Sequence, residues 1–124
     1  MRTLEDIEKV LGPIPKGPVI GGELTTSGSS TGVVDPATEQ VITEITLGGV
    51  EDAVRAVDAA EQAMPAWAAM SPRGRSDILR RAFELMMERQ DALARLSVLE
   101  NGKAHADAMG EVAYAAEFFR WYAE

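Results

Sequence analysis

The 124-residue sequence contains no cysteine. That excludes disulfides, thiolate metal sites and a cysteine nucleophile supplied by this chain. Basic residues are in the minority: 12 Lys and Arg against 20 Asp and Glu, a formal net charge of −8. Such a chain repels phosphate backbones and anionic lipid surfaces, so no nucleic acid and no membrane partner is expected. No apolar stretch reaches the roughly 18 residues that a membrane span needs. Residues 1–10 are acidic, unlike the basic start and apolar run of a secretory signal. A soluble, cytoplasmic protein is expected. Histidine is represented once, by His105. A metal site there would have to recruit carboxylates such as Asp107 and Glu111, and the simpler expectation is a solvated residue at a helix start. No Gly-x-Ser-x-Gly turn surrounds any serine, so a nucleophilic triad is not expected.

What is present reads as a globular chain, 46% hydrophobic and 26% charged, long enough to bury a core. No internal repeat is visible. Leu4, Ile7, Val10 and Leu11 recur at helical spacing behind an acidic first turn, and Gly12-Pro13 stops them. This predicts a loosely packed surface helix, followed by a Pro/Gly linker to residue 17. Val19-Ile20, Gly21-Gly22 and Glu23-Leu24-Thr25 predict a tight hairpin. Residues 25–32 are rich in Ser, Thr and Gly. They lack the Gly-Lys-Ser/Thr or GxGxxG endings of a phosphate cradle, so a plain loop is expected. Residues 31–34 and 41–46 predict two antiparallel strands, the second alternating Val41, Thr43 and Ile45 with Ile42, Glu44 and Thr46. Asp35-Pro36 opens the turn between them.

From Val50 the period becomes helical. Val50, Ala53, Val54, Val57, Ala60 and Met64 make one stripe, which Pro65 is expected to end. Ser71-Pro72 starts the next helix as N-cap and first-turn proline. Ile78, Leu79, Ala82, Leu85 and Met86 are expected to face inward. Residues 88–91 fit either a bend or a continuation. Leu93, Leu96 and Leu99 carry the pattern to Glu100, with Gly102 beyond the helix end. The last helix bears two stripes: Ala108, Val112, Ala115, Phe119 and Tyr122, and Met109, Ala113 and Ala116. Apolar faces that wide imply packing on more than one neighbour. Phe118, Phe119, Trp121 and Tyr122 are expected to be buried by other structure, yet no partner for them is evident in the preceding residues. Arg73, Arg75, Arg80 and Arg81 are expected to pair with Asp77, Glu84 and Glu88 on a solvated face, for about 0.3–0.5 kcal/mol each.

Taken in order, these pieces resemble the amino-terminal part of the aldehyde dehydrogenases. The resemblance runs through Ile20-Gly21-Gly22-Glu23-Leu24, Val34-Asp35-Pro36-Ala37-Thr38 and Ala63-Met64-Pro65-Ala66-Trp67. It continues through Ser71-Pro72-Arg73-Gly74-Arg75, Ile78-Leu79-Arg80-Arg81-Ala82 and Leu99-Glu100-Asn101-Gly102-Lys103. The ending Ala116-Glu117-Phe118-Phe119-Arg120-Trp121-Tyr122-Ala123-Glu124 looks most like the succinate-semialdehyde dehydrogenase branch. Two residues depart from the family pattern. Leu24 replaces the usual Trp, and Glu39 stands where the turn has Gly, so either the turn differs or Glu39 costs on the order of 1 kcal/mol.

The resemblance implies an α/β, aldehyde dehydrogenase-like fold, of which this chain is a short antiparallel β part followed by about four helices. It implies residues 1–17 as helix and linker, and residues 18–124 as the front of a cofactor domain. It implies NAD(P)-dependent oxidation of an aldehyde, possibly succinate semialdehyde, to a carboxylic acid, in a homo-oligomer. The Gly-Gln-x-Cys, Glu-Leu-Gly-Gly, Pro-Trp-Asn and Gly-Ser-Thr segments that carry that chemistry are not in the chain and are expected beyond Glu124. No catalytic, cofactor-binding or metal residue is therefore expected here. NAD or NADP belongs to the intact enzyme and is not expected to bind this chain alone. A different class of reading is a non-catalytic helical module that self-associates through its aromatic last helix.

Overall fold

A computed structural model describes residues 3–124. The first two residues of the expected 1–17 segment lie outside the described residues. Helix α1 (Leu4–Leu11) begins where Thr3 Oγ1 accepts from the Asp6 amide and ends at Gly12, whose φ is 83°. It is a surface helix, but it is not loosely packed as expected. Ile7 is 1% exposed and is the largest fully buried side chain among the described residues. One apolar residue per turn, set against a neighbouring helix, is enough to seat so short an element.

Strands β1 (Val19–Ile20) and β2 (Glu23–Leu24) form the expected hairpin, with φ of 60° and 88° at Gly21 and Gly22. Two successive positive φ values are what the tight hairpin turn needs, and glycine adopts them without a Cβ clash. Strands β3 (Ser30–Asp35) and β4 (Gln40–Thr46) pair antiparallel, also as expected. The simple alternation expected for the second strand does not hold. Val33 lies opposite Thr43, but Val34 lies opposite Val41, so Ile42 is a bulge residue. The extra residue puts Ile42 and Thr43 on the half-buried side together. The turn between the strands is set by Asp35, whose side chain accepts from the Ala37 amide at 2.8 Å and from Thr38 Oγ1 at 3.0 Å. It brings Glu39 round at φ 59°, the left-handed region.

Four helices follow: α2 (Val50–Ala69), α3 (Pro72–Glu88), α4 (Gln90–Asn101) and α5 (His105–Ala123). Pro65 lies inside α2 and does not end it. Proline withholds one amide from the carbonyl four residues back. Here that carbonyl belongs to exposed Glu61, where water can replace the lost bond. The flanking Ala, Gln and Met residues are strong helix formers and carry the helix one turn further. The stop comes at Met70, followed by Ser71-Pro72. Ser71 caps α3 by accepting from the Gly74 amide at 3.1 Å. Residues 88–91, for which both a bend and a continuation were open, hold a break of one residue at Arg89, φ −107° and ψ 11°.

The core is a helical layer in which α5 packs along α3 and α4, while α1 lies on α4. Alanine dominates the contact: Ala92, Ala94, Ala108, Ala116 and Ala123 are buried. Small side chains let the helix backbones approach closely, and side-chain-to-carbonyl bonds cross the gap. Ser76 Oγ donates to the Ala123 carbonyl at 2.5 Å, and Gln90 Nε2 to the Met109 carbonyl at 3.0 Å. Two expected inward faces are corrected. Ile78 is 49% exposed, and Phe83 joins Leu79, Ala82, Leu85 and Met86 on the half-buried side of α3. On α5 the covered face runs Ala108, Met109, Val112, Ala113, Ala116 and Ala123, while Ala115, Phe119 and Tyr122 turn outward.

Candidate functional site

The cleft that brings the histidine together with charged side chains lies between α1, the β3–β4 turn, α4 and the start of α5. Ile7, Asp35, Val98, Gly102, Arg95 and His105 are among the residues that line it, around a cleft of about 360 Å³. His105 begins α5 and its Nε2 lies 3.0 Å from Asp91 Oδ1 at the start of α4. Arg95, one turn along α4, donates from Nε to Asp91 Oδ2 at 2.8 Å. The guanidinium, and after it the imidazole, hold the Asp91 carboxyl below its ordinary range. The sequence offered Asp107 and Glu111 as partners for His105. Neither takes that place, because Asp91 reaches it from the neighbouring helix and Glu111 pairs with Lys103.

The lining of this cleft carries no hydroxyl and no thiol. A histidine–carboxylate pair without a nucleophile beside it cannot run acyl transfer. Among the described residues there is also no group of three or more His, Cys, Asp or Glu side chains placed to hold a metal. The Asp91–His105 bond joins two helix starts and acts as a clasp.

The Ser27-Gly28-Ser29 loop lies beside Gly49, where α2 begins. Backbone amides at a helix start attract anions. Here the anion is the protein's own: Asp52 Oδ2 accepts from the Gly49 amide at 2.7 Å, and Arg55 closes on the same carboxylate. That amide bond, and then Arg55, hold the Asp52 carboxyl below its ordinary range. A dinucleotide pyrophosphate brought to this loop would meet a carboxylate already in place. This loop therefore does not fit a dinucleotide pyrophosphate.

The arginines divide. Arg81 pairs with Glu84 and Glu88 at 3.3 and 3.2 Å, as expected. Arg75 departs from the expected pairing and donates to the Met70 carbonyl at 2.5 Å and the Ala68 carbonyl at 3.4 Å. A cation at those carbonyls complements the end of α2. No spacing rule within a helix would have found it, because the bond crosses the junction between two helices.

Phe118, Phe119, Trp121 and Tyr122 find no covering partner among the described residues, in line with the absence of an evident partner in the preceding sequence. Tyr114 is 69%, Trp121 70% and Tyr122 74% exposed. Tyr114 and Phe118 meet edge to face, ring centres 5.1 Å apart. No helix among the described residues is long and apolar enough to cross a membrane.

Comparison with known proteins agrees with this fold. The Aldehyde dehydrogenase family profile matches residues 24–124. Over 98 residues the chain is 49% identical to a glutarate-semialdehyde dehydrogenase of Pseudomonas putida, covering 79% of this chain and 20% of that protein. Over 108 residues it is 44% identical to the NADP(+) succinate-semialdehyde dehydrogenase GabD of Escherichia coli, covering 86% and 22%. The structure superposes on betaine aldehyde dehydrogenase of Staphylococcus aureus, crystallised with NAD+, with a TM-score of 0.85 at 25% identity, covering 96% of this chain and 24% of that one. The chain spans about a fifth of the length of the curated relatives it matches. With a family profile matched over most of its length and the fold held in common, the chain belongs to the aldehyde dehydrogenase family.

Proposed function

We propose that this chain is the amino-terminal scaffold of an NAD(P)-dependent dehydrogenase that oxidises a small semialdehyde, succinate semialdehyde foremost, to the carboxylic acid. The observation that carries this is the identity to semialdehyde dehydrogenases over most of the chain. Residues 1–17 serve as helix and linker, and residues 18–124 as the front of the cofactor domain. The chain itself contributes no catalytic, cofactor-binding or metal residue and does not turn over alone, which the absence of cysteine supports. Aldehyde, NAD or NADP and the homo-oligomer belong to the intact enzyme, which is cytoplasmic and engages neither nucleic acid nor membrane.

Two measurements test this. Purified chain mixed with aldehydes and either nucleotide should give no NAD(P)H absorbance, and turnover by this polypeptide would refute the inactive reading. Replacing the matching segment of the Escherichia coli enzyme with this chain should preserve oxidation of succinate semialdehyde. A folded chimera without that activity would overturn the scaffold reading.

A second reading, a non-catalytic helical module that self-associates, is favoured by the exposed aromatic residues of α5. Light scattering separates the two: stable dimers at micromolar concentration support the module.

A further inference from the structure

The sequence holds one asparagine, Asn101, and a glycine follows it. No aspartate of the chain precedes a glycine. Before glycine a side-chain amide is most open to attack by the next backbone nitrogen, because no Cβ stands in the way and the backbone turns freely. The chemistry needs only this chain and water. The Gly102 nitrogen gives its proton to solvent base and bonds to Asn101 Cγ. The bond from Cγ to Nδ2 breaks, and ammonia leaves with a proton from solvent. Water then opens the succinimide. Breaking the new bond at Cγ leaves aspartate, whereas breaking the original peptide bond leaves isoaspartate, with the chain rerouted through the side chain.

In the fold the two reactants are adjacent but held apart. Asn101 is the last residue of α4 and is exposed, so water and base reach its amide. The Gly102 nitrogen is engaged: it donates to the Val98 carbonyl at 2.8 Å, with Gly102 in the left-handed conformation. That bond retains the proton that has to leave. Ring closure also requires Asn101 to swing out of helical geometry until Cγ meets the nitrogen. Pro36, packed against Gly102, opposes the accompanying shift of the chain.

We propose that Asn101-Gly102 is a latent self-modification site: the α4 cap keeps it dormant, and opening of that helix end alone, with the rest of the chain folded, releases deamidation. Helix ends open at a fraction of the free energy of global unfolding. Either product places a carboxylate at the negative end of α4, beside Glu100, where the helix dipole disfavours it. Isoaspartate also moves the Gly102 amide away from Val98. An opening that reacts therefore leaves a cap that closes less well.

The test incubates the whole chain, folded and in urea, and follows the exchange of amide for acid by intact mass. Peptide mapping separates aspartate from isoaspartate at position 101, and both from any change at Gln40, Gln62 or Gln90. The folded chain should convert about fivefold or more slower than the chain in urea, the factor by which one net hydrogen bond holds a group closed. Both rates should rise with pH, because base must take the Gly102 proton. Pro36→Ala should convert faster than the parent while still folded. Ser76→Ala, which removes the bond to the Ala123 carbonyl far from the cap, should convert at the parent rate. Asn101→Gln should abolish the change at this position, and Asn101→Asp should lower the urea midpoint. Equal rates in the folded and urea-unfolded parent overturn the proposal, as does no conversion in either state. Ser76→Ala as fast as Pro36→Ala refutes opening confined to the cap. An Asn101→Asp midpoint equal to the parent's refutes the weakened closure. The parent's two rates decide the protection even where a variant does not fold.

Discussion

Gly102 and Pro36 stand in contact, so closely that a Cβ built on Gly102 would lie 2.7 Å from Pro36 Cγ. Gly102 ends α4 in the left-handed conformation, φ 72° and ψ 15°, and donates its amide to the Val98 carbonyl at 2.8 Å. Pro36 is held in the β3–β4 turn by Asp35. Two of the short passages that carry the family resemblance, far apart in sequence, are therefore one packing unit.

Gly102→Ala should destabilise the fold for two separable reasons. The left-handed backbone alone costs a residue with a Cβ about 1–2 kcal/mol, and the clash with Pro36 adds to it. Urea unfolding of Gly102→Ala, of Pro36→Ala and of the double variant resolves the parts. The double variant should recover the steric share and keep the backbone share. Strict additivity of the two singles would show that the contact carries no energy.

Glu39 sits at φ 59° where the family turn has glycine. Glu39→Gly should stabilise, relieving about 1–2 kcal/mol of left-handed strain against about 0.5–1 kcal/mol of added chain entropy. A net gain of up to about 1.5 kcal/mol should appear in urea unfolding. A loss would mean the Glu39 side chain contributes more than its backbone costs.

Pro65→Ala restores an amide donor for the Glu61 carbonyl in mid-helix. Because proline in a helix interior is disfavoured by about 3 kcal/mol against alanine, α2 should gain hydrogen-exchange protection around residues 61–69. Unchanged protection would place the limit on α2 in its lack of packing rather than in its backbone.

Acid should open the Asp91 clasp. Arg95 first, and His105 after it, depress the folded pKa of Asp91. The stabilisation is therefore complete above the ordinary carboxylate pKa and is lost as pH falls through the lower, folded value. Asp91→Asn should flatten the acid limb of a stability-against-pH curve and leave the neutral limb less stable. An acid limb identical to that of the parent would remove Asp91 from the account. Glu100 has the opposite sign: burial raises its pKa, so protonation relieves a cost as pH falls.

Much of the fold was legible locally. Gly21-Gly22 announced a hairpin, Ser71-Pro72 a helix start and Gly102 a helix end, because each acts through its own φ or its own hydrogen bond. Legibility failed where a neighbour from another element decided the outcome. Pro65 was misread because helix continuation depended on strong formers on both sides and an exposed carbonyl. Ile42 was misread because a bulge depends on how two strands register. The candidate cleft was not legible at all: Asp91 and His105 are brought together by the angle between α4 and α5, and no spacing rule encodes that angle.

By itself, the sequence determined which segments are helix and strand, which turns require glycine, the family, and the want of a thiol. Those follow from properties of single residues and their near neighbours. Tertiary structure alone decided that the aromatics of α5 and the stripe of α2 face outward. Which side of an amphipathic helix is covered depends on what lies against it, and alanines on the other side of α5 allow α3 and α4 to come close enough to occupy that side.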